Sequence, residues 1–285
     1  TQADIDEWRE GLAKDPNGMD NPYGVPNYLA YPSTQWVDEL FLSTTSQKHN
    51  VSVVGSSENT NYLLSFGYLD NPGTLKNTGL KNYSGRINIE TQITKFLKVG
   101  TQTYATFQTR EPGNTSFTYM YQNTPAVTPY HDGKYGVSVD GASTSNLLAD
   151  VMSRGGSYDD TRLNTTWYAK VNILDGLTAE ARFNYQTLFN ETATYSRKVD
   201  KQNFRTGEII PGVSSSTATT SRATTRYQNH TNTATINYAK TFGKHDISIL
   251  LGTEQYYWNV KGFSATRTGL LDLDLPDFTA ALDLL

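Results

Sequence analysis

From Lys48 onward, apolar and polar residues alternate along the chain with a period of two, the signature of half-buried strands. In TRLNTTWYAKVNI (161–173), Leu163, Thr165, Trp167, Ala169, Val171 and Ile173 share one face. Arg162, Asn164, Thr166, Tyr168, Lys170 and Asn172 take the other. In LTAEARFNYQTLF (177–189), Leu177, Ala179, Ala181, Phe183, Tyr185 and Phe189 oppose Glu180, Arg182, Asn184 and Gln186. Tyr83, Ile87 and Ile89 likewise oppose Arg86, Asn88 and Glu90. In NYLLSFGYLD (61–70), Tyr62, Leu64, Phe66 and Tyr68 form one greasy face and Ser65 and Gly67 sit on the other. The pattern predicts eight strands, roughly 48–54, 60–69, 82–92, 97–109, 161–173, 177–190, 226–241 and 245–259.

Ahead of the strands, residues 1–47 read as an irregular and helical loop segment. DIDEWREGLAK (4–14) predicts a helix capped by Asp4, with Glu7 three residues on and Ile5, Trp8 and Leu12 on one side. Pro16 and Gly18 end it, four prolines make 16–33 irregular, and a second helical turn is expected over 34–41. Within 48–259, short connections (SSENT, ITKF, Asp175-Gly176, FGKH) alternate with long loops at about 71–81, 110–160 and 190–225. Residues 260–285 are expected to begin a further loop. One end of the sheet therefore carries tight turns and the other large excursions.

Composition narrows the class. Only 36% of the 285 residues are hydrophobic, thin for an α/β enzyme core, while aromatics reach 12%. A net charge of −4 gives no basic footprint for nucleic acid. The absence of cysteine excludes disulfides and thiolate chemistry. No apolar run approaches the roughly 18 residues of a membrane-spanning helix, which leaves membrane barrels open because they cross with strands. No signal-peptide pattern opens the chain, so an exported product is expected to be an internal or processed piece.

Alternation suits both a membrane barrel and a soluble sandwich or jelly roll. Three features favour the barrel. Strands of 13 or 14 residues are long against the usual five or six. The loops are one-sided, and apolar-face aromatics such as Tyr62, Tyr68, Tyr83, Phe107, Phe183 and Phe189 fall near strand ends, where interfacial girdles lie.

The stretch from Thr34 to Gly100 carries more specific marks: Trp36–Phe41 (WVDELF), Asn50–Gly55 (NVSVVG), Thr60–Tyr68 (TNYLLSFGY), the Asn77–Gly79 turn and Arg86–Asn88 (RIN). In this order and spacing they resemble the SusC/RagA family of TonB-dependent outer-membrane transporters. The resemblance implies an all-β fold, an antiparallel transmembrane β-barrel segment of about eight strands from a larger, 22-stranded plugged barrel with long extracellular loops. It also implies location in the cell outer membrane of Bacteroidetes-type bacteria and contact with lipid. The partners implied are a SusD-like lipoprotein lid, and TonB acting through a part of the protein not in this chain. The implied activity is energised uptake of oligosaccharides or peptides, without covalent chemistry or cofactor. Nothing in the chain looks like a TonB box, a plug or the later strands, and eight strands alone would close around a lumen filled by side chains. The alternative reading is a secreted or surface β-sandwich that binds glycan, or a glycoside hydrolase of that fold.

On the barrel reading, Arg86, Asn88, Glu90, Tyr168, Lys170, Glu180, Arg182 and Asn184 face the lumen, and Tyr62, Leu64, Phe66 and Tyr68 face lipid. The loop aromatics, Phe117 among them, offer candidate ligand contacts at Tyr119, Tyr121, Tyr130, His131 and Asp132, with packing within the loop or against the lid as the plainer role. Four dispersed histidines lack metal-site spacing. DGKYGVSVDG (132–141) reads as turn chemistry, and LDLDLPD (271–277) as a solvated loop rather than a calcium loop. There is no GxSxG, P-loop or dinucleotide fingerprint, while spacing leaves paired carboxylates for glycoside hydrolysis open, since they need only meet in the fold.

Overall fold

The structure, a computed structural model, describes residues 1–113, 117–197, 199–211 and 218–269. Its largest element is one antiparallel sheet of eight strands: β1 (Gln47–Ser56), β2 (Thr60–Pro72), β3 (Thr78–Gln92), β4 (Leu97–Pro112), β7 (Arg154–Leu174), β8 (Leu177–Ser196), β11 (Thr219–Phe242) and β12 (His245–Thr268). They lie side by side in chain order, so every pairing joins consecutive long strands. The outer edges of β1 and β12 are unpaired among the described residues.

All eight expected strands form, and they run further than alternation marks them. The expected 71–81 loop shrinks to residues 73–77, 110–160 to 113–153, and 190–225 to 197–218; β12 continues to Thr268 where a loop was expected from 260. The extensions are polar on both faces: Asp159 and Asp160 on β7, Glu191 and Thr192 on β8, Thr224 and Thr225 on β11. The backbone ladder carries them, and a ladder leaves no hydrophobic period to read. The acidic run 271–277 lies outside the described residues.

Register makes the two faces explicit, because residues directly opposite one another share a face. Tyr62 pairs with Ile89, Leu64 with Ile87, Tyr68 with Tyr83, Trp167 with Phe183 and Ile236 with Leu251. Apart from the half-buried Tyr68, these apolar residues, with Val51, Phe66, Phe107 and Ile249, stand open: Phe66 is 56% exposed. Aromatic rings run across this face from Trp167 to Phe183 (5.8 Å), His230 (6.0 Å) and Tyr257 (4.9 Å). No apolar side chain of the eight long strands is buried. A sandwich would lay a second sheet over this face; the other described sheet has four strands of two or three residues and belongs elsewhere.

That second sheet sits in a cap at the long-loop end, built from the N-terminal segment and the connections β2–β3, β4–β7 and β8–β11. It contains α1 (Gln2–Ala13), α2 (Asn27–Ala30), α3 (Trp36–Leu40), α4 (Phe117–Gln122), α5 (Leu147–Met152) and the short strands β5 (Tyr130–His131), β6 (Lys134–Gly136), β9 (Lys201–Gln202) and β10 (Ile209–Ile210). The cap of α1 is Thr1, and Asp4, expected to be the cap, is its capping-box partner three residues on. Helix α2 falls in the proline-rich stretch read as irregular, and α3 fills the expected 34–41 turn.

The hydrophobic core lies here: Trp36, Leu40, Met120, Val127, Leu147, Leu148 and Val151 pack together. The Trp36 indole N–H donates to Thr124 O at 3.0 Å. Asn146, fully buried, caps α5 by accepting from Ala149 N at 2.9 Å and donates to Pro129 O and Gly136 O, each at 2.9 Å. Asn77 of the β2–β3 turn donates to Val151 O at 2.9 Å, tying cap to sheet.

Candidate functional site: the polar face of the sheet and the cap above it

Opposite the apolar face, register gathers all eight residues expected to face a lumen. Arg86, Asn88 and Glu90 on β3 lie in one surface with Tyr168 and Lys170 on β7 and Glu180, Arg182 and Asn184 on β8. Glu90 is the hub: its carboxylate accepts from Lys98 Nζ at 2.8 Å and from the Tyr168 hydroxyl at 2.8 Å. The Tyr168 ring lies across Gly100, its register partner, where a Cβ would run into the ring. The Arg182 guanidinium stacks over the same ring at 5.3 Å and pairs with Glu180. Asn184 donates to Asn164 Oδ1 at 2.9 Å and Thr166 Oγ1 at 2.8 Å. A cleft of about 580 Å³ opens beside Asn61, Asn88, Glu90, Gln102 and Tyr168 toward the tight-turn end. Such a mosaic of charges and amides can hold polar solutes by hydrogen bonds.

The cap holds the loop candidates, in two places. Tyr130 and His131 form β5; the Tyr130 ring packs on Tyr135 at 5.0 Å, and His131 lies edge-on to Phe204 (5.5 Å) and Tyr28 (5.7 Å). Asp132, with φ 44°, and Gly133, with φ 78°, make the tight turn into β6, so hairpin chemistry accounts for that Asp-Gly pair. Tyr119 and Tyr121 stand exposed on α4, with no ring contact to Tyr130 or His131.

Sequence reasoning missed Arg205. Its guanidinium donates to Ala30 O from Nε (3.0 Å) and Nη2 (2.6 Å) and lies over the rings of Tyr23 (4.5 Å), Tyr31 (5.3 Å) and Trp8 (5.6 Å). It clasps the N-terminal segment to the β8–β11 connection. Burial, with Glu7 adding to it, raises the Tyr31 phenol above its ordinary pKa. Lys201 donates to Thr144 O at 2.7 Å, and burial lowers the pKa of its ammonium. The Ser138 hydroxyl, then the Ala142 N–H, hold the Asp140 carboxyl below the usual carboxylate range. No periodic signal marks any of these, because each depends on segments far apart in sequence.

No protein-family model matches the chain. Over 262 residues, 85% of its length, it is 26% identical to TonB-dependent receptor P3 of Formosa agariphila, of which it covers 25%. It is 27% identical over 124 residues to TonB-dependent receptor P26 of the same organism, covering 12% of that protein. Over 65 residues it is 31% identical to TonB-dependent receptor SusC of Bacteroides thetaiotaomicron, 6% of that protein. The solved RagAB peptide transporter matches with a TM-score of 0.70 at 21% identity, over 88% of this chain and 28% of that one. RagAB in its closed-closed state gives 0.67 over the same shares. The chain thus spans a quarter of the length of the P3 receptor. In sequence the chain is thus similar to a segment of TonB-dependent receptors, SusC among them, and its eight-stranded sheet shares the fold of the matching part of RagAB.

Proposed function

We propose that this chain forms part of the wall and outer mouth of an outer-membrane importer for oligosaccharides or peptides. A SusD-like lipoprotein closes its mouth, and TonB energises it through a part of the protein outside this chain. One observation carries the reading. The sheet exposes a continuous apolar face with no buried apolar side chain in any long strand, while every buried apolar side chain among the described residues lies in the cap or beside it. A water-soluble sheet must cover such a face; a barrel wall turns it to lipid, where closed strand pairing satisfies the backbone. Tyr62, Leu64, Phe66 and Tyr68 then meet the bilayer. The eight polar-face residues line the passage, and Tyr119, Tyr121, Tyr130, His131 and Asp132 meet ligand or lid from the cap. Binding and gated passage need no covalent step.

The test uses the full-length protein. It should fractionate with the outer membrane, require detergent for extraction and show heat-modifiable migration. It should co-purify with a lipoprotein, and uptake of labelled oligosaccharide or peptide should cease without TonB. Recovery of the full-length product in the soluble fraction without detergent would overturn the reading.

A further inference from the structure

Charge on the apolar-side face of the sheet is sorted by strand. Toward the long-loop end, β2, β4, β7 and β8 place Asp70, Glu111, Asp159 and Glu191 on that face, with Lys81 of β3 opposite Asp70. Toward the same end, β11 and β12 place Arg222, Arg226, Lys261 and Arg267 there, and no carboxylate shares their face on either strand. Register fixes the placement, since Arg226 pairs with the apolar-face Phe189 on one side and with Lys261 on the other. The Arg226 guanidinium lies over the Phe189 ring at 5.7 Å. Glu191, opposite Thr224, sits diagonal to Arg222 and Arg226 and offsets one of the four positive charges. A further strand at the β12 edge would pair with its backbone and leave this face uncovered.

We infer that this basic sector of β11 and β12 is a docking surface for an anionic, phosphate-bearing lipid of the outer leaflet; the inference rests on the importer reading and gives the wall a specific lipid partner. Depth carries it. Tyr238 shares a row with Leu177 and Ile249 at the tight-turn end, and Arg226 stands twelve residues further along β11. At about 3.3 Å per residue and a tilt of about 40°, that spacing is about 30 Å along the membrane normal. The apolar band of an outer-membrane barrel is about 25 Å tall, so Arg226 and Lys261 emerge just beyond its outer edge, at the level of the headgroups. Two cations directly opposite on paired strands repel each other, and an anion held between them removes that cost. A phosphate accepts the forked donors of Arg226 and the ammonium of Lys261 together. A zwitterionic headgroup brings its own cation into the sector and gains less. An acidic protein would have to approach at the bilayer surface, whereas lipid already lies against the Tyr185 and Tyr257 rings below, on the same face.

The test titrates the full-length protein in detergent with diphosphoryl lipid A, phosphatidylcholine and inorganic phosphate, and counts retained lipid by native mass spectrometry. Diphosphoryl lipid A should bind more tightly than phosphatidylcholine, and R226Q/K261Q should weaken it on the order of tenfold or more. K261R should bind as wild type does, and K81Q, among the carboxylates of the other strands, should change little. K261Q alone should lose a smaller factor and serves if the double variant fails to assemble. Lipid A bound no better than phosphatidylcholine, or R226Q/K261Q binding it as tightly as wild type, overturns the sector. Inorganic phosphate binding as tightly as lipid A also overturns it and marks a site for the free anion. Loss of a co-purifying acidic protein from R226Q/K261Q, with lipid binding unchanged, assigns the surface to that protein instead. If the protein is membrane-embedded and imports cargo while the lipid results are negative, only the sector fails; if it is soluble without detergent, the importer reading fails with it.

Discussion

Trp36, Leu40 and Val127 in the cap are almost wholly enclosed, whereas Phe66, Trp167 and Ile249 in the sheet stand open along one face. The cap follows the rule of water-soluble domains: apolar side chains converge and the buried Asn146 is hydrogen-bonded. The sheet obeys another. Its cohesion comes from long backbone ladders and cross-strand pairs, and its apolar residues point away from the rest of the chain. One sequence thus contains two regions suited to two solvents, and the boundary between them falls where the strands become polar on both faces.

The comparison can be broken from either side. The largest effect is expected from Trp36→Ala, at about 3–5 kcal/mol of local stability in the cap. Limited proteolysis of the full-length protein should then cut the 113–153 connection faster, while heat-modifiable migration of the barrel persists. Simultaneous loss of both would mean that the regions are not separable. Phe66→Arg should do the converse, at about 2–4 kcal/mol if the residue lies near the bilayer midplane. Outer-membrane yield should fall, and Ser65→Arg, on the opposite face, should be tolerated far better. Equal losses for the two would contradict the assignment of faces.

Asn146→Ala should cost about 1–3 kcal/mol, because it leaves the carbonyls of Pro129 and Gly136 without their donor and removes the cap of α5. Hydrogen exchange at Ala149 and its neighbours should report it, and unchanged exchange would remove Asn146 from the cap's framework. The smallest effect concerns pH. Asp140 has its folded-state pKa lowered by the Ser138 hydroxyl and the Ala142 N–H. Its contribution is therefore present above the unfolded carboxylate pKa and is lost as pH falls through the folded value. Proteolysis near residue 141 should increase in strong acid, and Asp140→Asn should flatten that dependence.

The sheet was legible because its chemistry is periodic: Leu163 through Val171 and Leu177 through Phe189 announce strand and face together. The face that holds Glu90, Tyr168 and Arg182 followed from the same parity. The cap was not legible. Strands β5, β6, β9 and β10 are two or three residues long, too short for a period, and β9 gains its place by pairing in parallel with β6.

The hydrogen bonds from Arg205 to Ala30 join residues 175 positions apart in the chain. Between those residues lie β1, β2, β3, β4, β7 and β8, so the clasp closes a loop that holds most of the sheet. Contacts of such sequence separation form late, since the loop entropy must be met before they contribute anything. A wall without the β8–β11 connection would lack this fastening of the N-terminal segment. A full-length Arg205→Ala protein is then expected to insert normally and to remain protease-sensitive over residues 1–46 long after the barrel has reached its heat-modifiable form.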